Sequence, residues 1–246
     1  MYRLYNSDKV KALADSIREK TGKTDLMYPG DMDTEIESIV VNESAVQLTK
    51  DQYLNGISIL YDNIATEFHD SFQGDNTLTE VNLPNITTIS NINAFAQCIN
   101  LTTVNLPNLL AIDTYFLKCT NLKQLRLPKV TSYTNNAFRF GLQLLDLGQD
   151  FVTFNTVSGT STSPFYYSHN LETLILRSLS VVTIPGMSET GVKYNTLFCP
   201  SSPIALGAGY IYVPKLLVSD YCVTYPWSQF AEQVRAIEDY PDICEL

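Results

Sequence analysis

The chain has 246 residues, of which 45% are hydrophobic and only 17% are charged, and this composition argues against a disordered chain. Its formal net charge is −10, which argues against nucleic acid as a partner because phosphate binding needs a basic surface. The sequence contains no run of 18 apolar residues, so we predict no membrane span. Charges such as Asp8 and Lys9 interrupt the start of the chain, so we expect no signal peptide in it.

The first 41 residues predict a helical hairpin that caps the chain or docks it to another protein. Residues 7–21 form the first predicted helix, which Gly22 would end. A second helix is expected after Pro29. The stretch 12–29, together with 36–39, resembles a short N-terminal module of tail-associated proteins from phages and prophages of gut Firmicutes.

An internal repeat determines the predicted fold. Five segments share the pattern Leu-x-x-Val/Leu-x-Leu, usually followed by Pro, and their first leucines are spaced 23, 21, 20 and 29 residues apart. This spacing is typical of leucine-rich repeats, which stack because no single repeat can bury its own apolar stripe. A second register agrees with the first, because a phenylalanine lies six residues before four of the five leucines. The first leucines are Leu78, Leu101, Leu122, Leu142 and Leu171, and the phenylalanines are Phe72, Phe95, Phe116 and Phe165.

The longer pattern Ala-Phe-x-x-Cys-x-x-Leu-x-x-Val-x-Leu-Pro, seen in residues 94–107, resembles the BspA-like leucine-rich repeat family. The resemblance extends over about residues 57–190. It implies an α/β repeat solenoid rich in β-structure, similar to the repeats in surface adhesins of gut and oral bacteria and of some protozoa. We therefore expect an N-terminal helical hairpin (1–41), a solenoid of about five to six repeats (42–190) and a C-terminal helical cap (191–246).

The C-terminal residues predict a cap because a solenoid must cover its last apolar layer. Pro214 can open a helix, and Leu216 and Leu217 can cover the last repeat. Trp227, the one tryptophan of the chain, supplies a large apolar area. The region 211–240 resembles the closing segment of gut-bacterial and phage proteins with BspA-like repeats.

Strand alternation predicts which side chains face solvent. If the first, fourth and sixth residues of each motif are buried, the third and fifth form outward ladders, which also include Leu144 and Ile175. Their amides, hydroxyls and arginine suit glycan hydroxyls or peptide backbones, although they also serve solubility. An insertion over 157–164 precedes two tyrosines in a paratope-like composition, so it is either a recognition loop or a tolerated loop. The predicted binding residues are Glu80, Asn82, Thr103, Asn105, Gln124, Arg126, Asp146, Tyr166 and Tyr167.

Catalytic chemistry is scarce in the sequence, so we predict no enzyme, no metal and no cofactor. Glycine loops for phosphate, nucleophile elbows and zinc-binding helix motifs are all missing. His69 and His169 precede repeat leucines and are expected in surface turns. A glycan hydrolase would need two close carboxylates, yet the outward ladder offers only Glu80 and Asp146, three coils apart.

Two side-chain clusters leave alternatives open. Cys98 and Cys119 occupy equivalent positions in adjacent repeats and predict a buried thiol ladder. The remaining cysteines leave open a bridge or a zinc site among Cys199, Cys222 and Cys244. A basic run is either a solvated face or a contact for an anionic glycan, and it consists of Lys118, Lys123, Arg126, Lys129 and Arg139.

These observations favour a non-enzymatic recognition protein. The first hypothesis places it on a phage or prophage tail, where it contacts a host-surface glycan or protein and joins other tail proteins through its N-terminal helices. The alternative is a bacterial cell-surface adhesin that binds host or matrix ligands, which would need a leader or anchor. Homo-oligomerisation through the capping helices stays open, and the expected location is the virion or, alternatively, the cell surface.

Overall fold

A computed structural model shows the chain as a β-rich repeat solenoid, as the repeat pattern predicts. The N-terminal hairpin predicted over 1–41 lies outside the described residues, except for a short strand at Arg3–Tyr5. No helix in the described part of the chain is long and apolar enough to cross a membrane. The structure describes residues 3–5, 59–62, 65–116, 118–133, 141–154, 164–165, 168–185 and 197–244.

Each repeat motif contributes one short strand to a parallel sheet. The strands are β1 (Arg3–Tyr5), β2 (Ile59–Tyr61), β3 (Glu67–Phe68), β4 (Glu80–Asn82), β5 (Thr88–Ile89), β6 (Thr103–Asn105), β7 (Ala111–Ile112), β8 (Gln124–Leu127), β9 (Ser132–Tyr133), β10 (Leu144–Leu147), β11 (Thr173–Leu176), β12 (Tyr210–Val213) and β13 (Val234–Ala236). Two parallel sheets follow one another, with strand orders β1-β2-β4-β6 and β8-β10-β11-β12-β13, and only β1 runs antiparallel to its neighbour. Two further pairs, β3-β5 and β7-β9, form small sheets after the repeat strands.

The predicted alternation places the leucine stripe in a continuous core. The first, fourth and sixth residues of all five motifs are buried, apart from Val104, which is half-buried. Parallel pairing keeps equivalent residues in register, so that Val81 lies beside Leu60 and Val104. Since a buried Leu, Val or Phe side chain contributes about 1.5–3 kcal/mol, stacking supplies stability that no single repeat could supply.

The phenylalanine register forms a second line through the core. Phe95 stacks on Phe72, with ring centroids 6.1 Å apart, and on Phe116 at 5.6 Å. Further along the solenoid, Phe165 stacks on Phe198 at 5.0 Å. The two predicted registers are therefore both confirmed among the described repeats. Gly74, Gln97 and Lys118 each lie two residues after a phenylalanine of this register. Their φ angles are positive, at 75°, 64° and 63°, which the sequence pattern does not indicate.

The C-terminal region extends the sheet rather than merely covering it. Strands β12 and β13, both beyond residue 190, pair in parallel with β11 and with each other. Pro214 precedes a short 3-10 helix, as predicted, but Leu216 in that helix is 91% exposed, so the prediction that it covers the last repeat is wrong. Trp227 is fully buried, and its indole Nε1 donates to the Val182 carbonyl at 2.7 Å.

Short helices connect these last strands. Two are α-helical, α1 (Val218–Val223) and α2 (Pro241–Cys244). Three are 3-10 helices, at Lys215–Leu217, Trp227–Gln233 and Ile237–Asp239. The last of these and α2 together form the segment 237–244, which we call the C-terminal segment. It returns across the outward face of the second sheet, where it defines the surroundings of the candidate site.

Candidate functional site on the outward sheet face

The outward face of the solenoid has two halves that differ in exposure. The outward side chains of β2, β4 and β6 are exposed or half-buried, whereas several outward side chains of β10, β11 and β12 are buried. The C-terminal segment accounts for this difference because it lies only over the second group of strands. We call the first group the open half, formed by Ile59, Tyr61, Glu80, Asn82, Thr103 and Asn105. The second group is the covered half, formed by Leu144, Asp146, Ile175 and Tyr212.

The open half brings together four predicted binding residues. Parallel pairing places Glu80 beside Thr103 and Asn82 beside Asn105. The Asn105 amide Nδ2 donates to Asn82 Oδ1 at 2.9 Å, which orients both side chains. Within the described part of the chain, Asn82 Nδ2 and Asn105 Oδ1 have no protein partner, so the pair offers both a donor and an acceptor to a ligand.

Gln124 and Arg126 lie at the border between the two halves. The Gln124 side chain is exposed, as the alternation predicts. Arg126 is half-buried and uses its guanidinium within the protein, because Nη1 donates to Asp146 Oδ2 at 2.7 Å. Gln124 is therefore the last residue of the predicted outward ladder that is fully exposed among the described residues.

The covered half contains a second, smaller apolar cluster on the outward side of the sheet. Leu144, Ile175 and Tyr212 pack there with Cys244 and with the half-buried Ile237 of the C-terminal segment. The prediction that Leu144 and Ile175 face solvent is therefore wrong. Their positions do point outward, but the C-terminal segment excludes water from them, which the short-range strand pattern cannot show.

Asp146 is a structural ion-pair residue rather than an exposed binding residue. Its side chain is only 2% exposed and it lies between two arginines. Arg177 contacts it with two nitrogens, Nε to Oδ1 at 2.8 Å and Nη2 to Oδ2 at 2.9 Å. Hydrogen bonding to Asp146 raises the pKa of Arg177, so this guanidinium keeps its charge. The prediction that Asp146 belongs to an open ligand surface is therefore wrong. Asp146 and Glu80 do not face solvent together as two outward carboxylates.

Neither Arg177 nor the C-terminal segment was predicted from the sequence to shape this surface. Arg177 follows the last strand leucine, at the position that Pro84, Pro107 and Pro128 occupy in earlier repeats, so a cation in place of proline was a usable signal. The C-terminal segment gave no such signal. Tyr166 and Tyr167, the remaining predicted binding residues, lie outside the described residues.

The basic run is largely engaged by its own neighbours. The Lys123 ammonium donates to the Thr120 carbonyl at 3.0 Å, and Lys129 donates to Asn108 Oδ1 at 2.7 Å. Arg126 pairs with Asp146, and Arg139 lies outside the described residues. These contacts favour a solvated structural face over a dedicated anion site.

Cys98 and Cys119 form the predicted buried ladder. Each thiol donates to a main-chain carbonyl of the preceding coil at 3.0 Å, Cys98 to Phe72 and Cys119 to Phe95. Burial raises the pKa of both thiols from an ordinary value of 9.0 to about 12. All five cysteines are free, so the bridge left open for the C-terminal three is absent.

We expect Cys98 and Cys119 to resist alkylation by iodoacetamide at pH 9 while the half-buried Cys222 reacts. The thiolate is the reactive form, and burial keeps the ladder thiols protonated. Because their folded pKa exceeds the unfolded value, they contribute stability below pH 9 that is lost as the pH rises towards 12. Peptide mass spectrometry of alkylated native protein gives the test, and rapid labelling of Cys98 with the fold intact would contradict it.

Both histidines are exposed, as expected, but only His169 lies in a turn, whereas His69 directly follows β3. His69 Nδ1 lies 2.8 Å from Ser90 Oγ, and His169 Nδ1 lies 3.0 Å from Ser201 Oγ. The sequence did not indicate that Cys199 Sγ would also lie 3.0 Å from His169 Nδ1. Among the described residues, no three His, Cys, Asp or Glu side chains are grouped as metal ligands.

Comparison with known families agrees with this architecture. The model of the BspA type leucine rich repeat region matches residues 48–172 in six copies, just over half of the chain. The match includes the open half of the sheet and the thiol ladder, and it ends before the last three strands, β11, β12 and β13. No curated protein matches the sequence.

Proposed function

The chain belongs to the BspA-type leucine-rich repeat family, and from this premise we propose that it is a non-enzymatic recognition protein. Its ligand is a glycan or a protein on a host surface. The open half of the sheet makes the contact, because the C-terminal segment covers the other half. Gln124, at the border, extends the contact surface by one strand.

The hydrogen-bonded asparagine pair on adjacent coils is the observation that carries this proposal. Asn82 and Asn105 hold each other in place and still present one amide donor and one carbonyl acceptor. Thr103 and Gln124 add neutral polar groups at neighbouring positions, and Glu80 adds one carboxylate. Held side chains lose little conformational entropy on binding, which favours affinity from few contacts.

We propose a phage or prophage tail as the setting. The resemblance of residues 12–29 and 36–39 to tail-associated proteins supports it. The genes on each side of the gene for this protein test the proposed tail location independently of the ligand. Tail, baseplate or lysis genes would support the virion, whereas an upstream in-frame leader beside sortase-like genes would replace it with a cell-surface adhesin.

The double variant Asn82→Ala/Asn105→Ala is expected to weaken ligand binding about tenfold, since two amide hydrogen-bonding groups are lost. Binding of labelled protein to a glycan array and to fixed host cells provides the measurement. Asn100→Ala is the matched control, because its amide also donates between coils, to the Asn76 carbonyl at 2.7 Å, but lies outside the sheet. Absence of any binding, or equal loss in the control, would contradict the proposal.

A further inference from the structure

The C-terminal segment is attached to the covered half mainly through charged side chains and main-chain oxygens. Arg126 Nη2 donates to the Ile243 carbonyl at 3.2 Å, and Arg177 Nη2 donates to the Cys244 carbonyl. At the other end of the segment, Lys215 Nζ pairs with Asp239 Oδ1 at 2.8 Å. These arginine contacts do not depend on the side chains of the segment, because every peptide carries main-chain carbonyls.

The charges of the two surfaces are complementary. Arg126 and Arg177 share the single carboxylate of Asp146, which leaves this three-residue cluster with one net positive charge. Residues 237–245 contain no lysine or arginine and carry four acids, Glu238, Asp239, Asp242 and Glu245. Electrostatic complementarity of this kind selects partners and raises association rates.

The segment covers the apolar cluster only thinly. Residues 238–243 are exposed, and within α2 only Cys244 is buried. Ile237 is half-buried and packs against the same cluster, and the ring of Tyr240, which is 38% exposed, lies edge-on to Tyr212 with centroids 5.4 Å apart. Segments with few buried apolar contacts open locally at low free energy, so the cluster of Leu144, Ile175 and Tyr212 can be uncovered without global unfolding.

We propose that the covered half is a binding site for an acidic peptide segment of a partner protein, and that residues 237–244 occupy it as an internal stand-in. Arg126 and Arg177 bind main-chain carbonyls of the incoming peptide. The apolar cluster accepts a small apolar side chain at the position of Cys244. The partner peptide displaces the C-terminal segment, and this site is separate from the ligand surface of the open half.

The first test uses the 246-residue chain and a fluorescein-labelled synthetic peptide of residues 237–245. Cys244→Arg removes the small anchor and adds a cation beside two arginines, so the variant releases its own segment. If the open state is populated at about 1–10% in the unmodified chain, the variant binds the peptide roughly 10–100-fold more tightly. Fluorescence anisotropy measures both affinities, and equal, weak binding by the two folded chains would overturn the proposal.

Specificity is tested by removing one arginine from the released chain. Adding Arg177→Met to Cys244→Arg is expected to weaken peptide binding by roughly 10–100-fold, because a charge-assisted hydrogen bond is lost. Lys129→Met removes the same charge outside the covered half and is expected to leave the affinity unchanged. Equal losses in the two variants would indicate non-specific charge attraction and would overturn the site.

A second measurement needs no substitution at Cys244. Excess isotope-labelled peptide is added to the unmodified chain, and hydrogen exchange is followed by mass spectrometry. Displacement predicts faster exchange of the chain's own amides at residues 242–244, whereas unchanged exchange at saturating peptide would overturn the proposal. A concentration-dependent dimer that the peptide dissociates would instead assign the site to a second copy of this chain and overturn the assignment to a partner protein.

Discussion

Replacing Asp146 by alanine is expected to lower the free energy of unfolding by about 3 kcal/mol. The carboxylate is almost fully buried and accepts hydrogen bonds from both Arg126 and Arg177. Its removal leaves two adjacent guanidinium groups without a counter-charge, and breaking a buried pair in this way costs about 3–5 kcal/mol. The lower end applies because the arginine side chains remain 29% and 21% exposed.

Urea denaturation followed by circular dichroism measures this loss. Glu80→Ala is the matched control, since it removes a carboxylate from the same outward face without burial between two arginines, and it should change stability by less than about 0.5 kcal/mol. Asp146→Ala should also release the C-terminal segment, because Arg126 and Arg177 then lose the carboxylate that positions them. Unchanged stability together with unchanged amide exchange at residues 242–244 would show that Asp146 does not organise the covered half.

The repeat core was predictable because its signals are local and repeated. Each motif specifies its own buried positions through the alternation of a strand, and parallel stacking only multiplies that pattern. Leu125, for example, needs no knowledge of distant residues to be assigned to the core. The thiol ladder followed from the same logic, because equivalent positions on adjacent coils must stack.

The division of the outward face was not predictable from the sequence. Arg126 contacts Ile243 across 117 residues, and no local pattern connects these two positions. Alternation places Asp146 outward, which is correct for the backbone, but the covering segment determines its exposure. The outward orientation predicted for Glu80, Asn82, Thr103 and Asn105 therefore agrees with the structure, whereas Arg126 and Asp146 lie where the C-terminal segment covers the sheet.

The two halves give one sheet two kinds of recognition surface. The open half is polar and carries the asparagine pair, whereas the covered half combines an apolar cluster with an uncompensated positive charge. A ligand that bound across both would have to displace the C-terminal segment. Ligand affinity at the open half and displacement of the segment can therefore be measured separately, and coupling between them would appear only for ligands that span the border at Gln124.

Gly148→Pro is expected to destabilise the protein by about 4 kcal/mol or more, although the repeat pattern alone would favour it. Proline follows the last motif leucine in three earlier repeats, and glycine replaces it here after the shortest spacing, 20 residues. A Cβ at Gly148 would overlap the main-chain carbonyl of Pro128 on the preceding coil. Proline would also remove the hydrogen bond from the Gly148 amide to the Leu127 carbonyl, which is 3.2 Å long.

The physical reason is the close approach of two backbones. A methyl group cannot be accommodated by a rotamer change there, because the atoms that it meets belong to the main chain, so adjacent coils must separate. Pro128→Gly is the matched control, which changes the preceding repeat to the glycine form. It should lower the free energy of unfolding by only about 1 kcal/mol, mainly because glycine raises the conformational entropy of the unfolded chain. Thermal unfolding of the two variants decides the matter, and a Gly148→Pro protein as stable as the parent would mean that the coils are not in contact at this position.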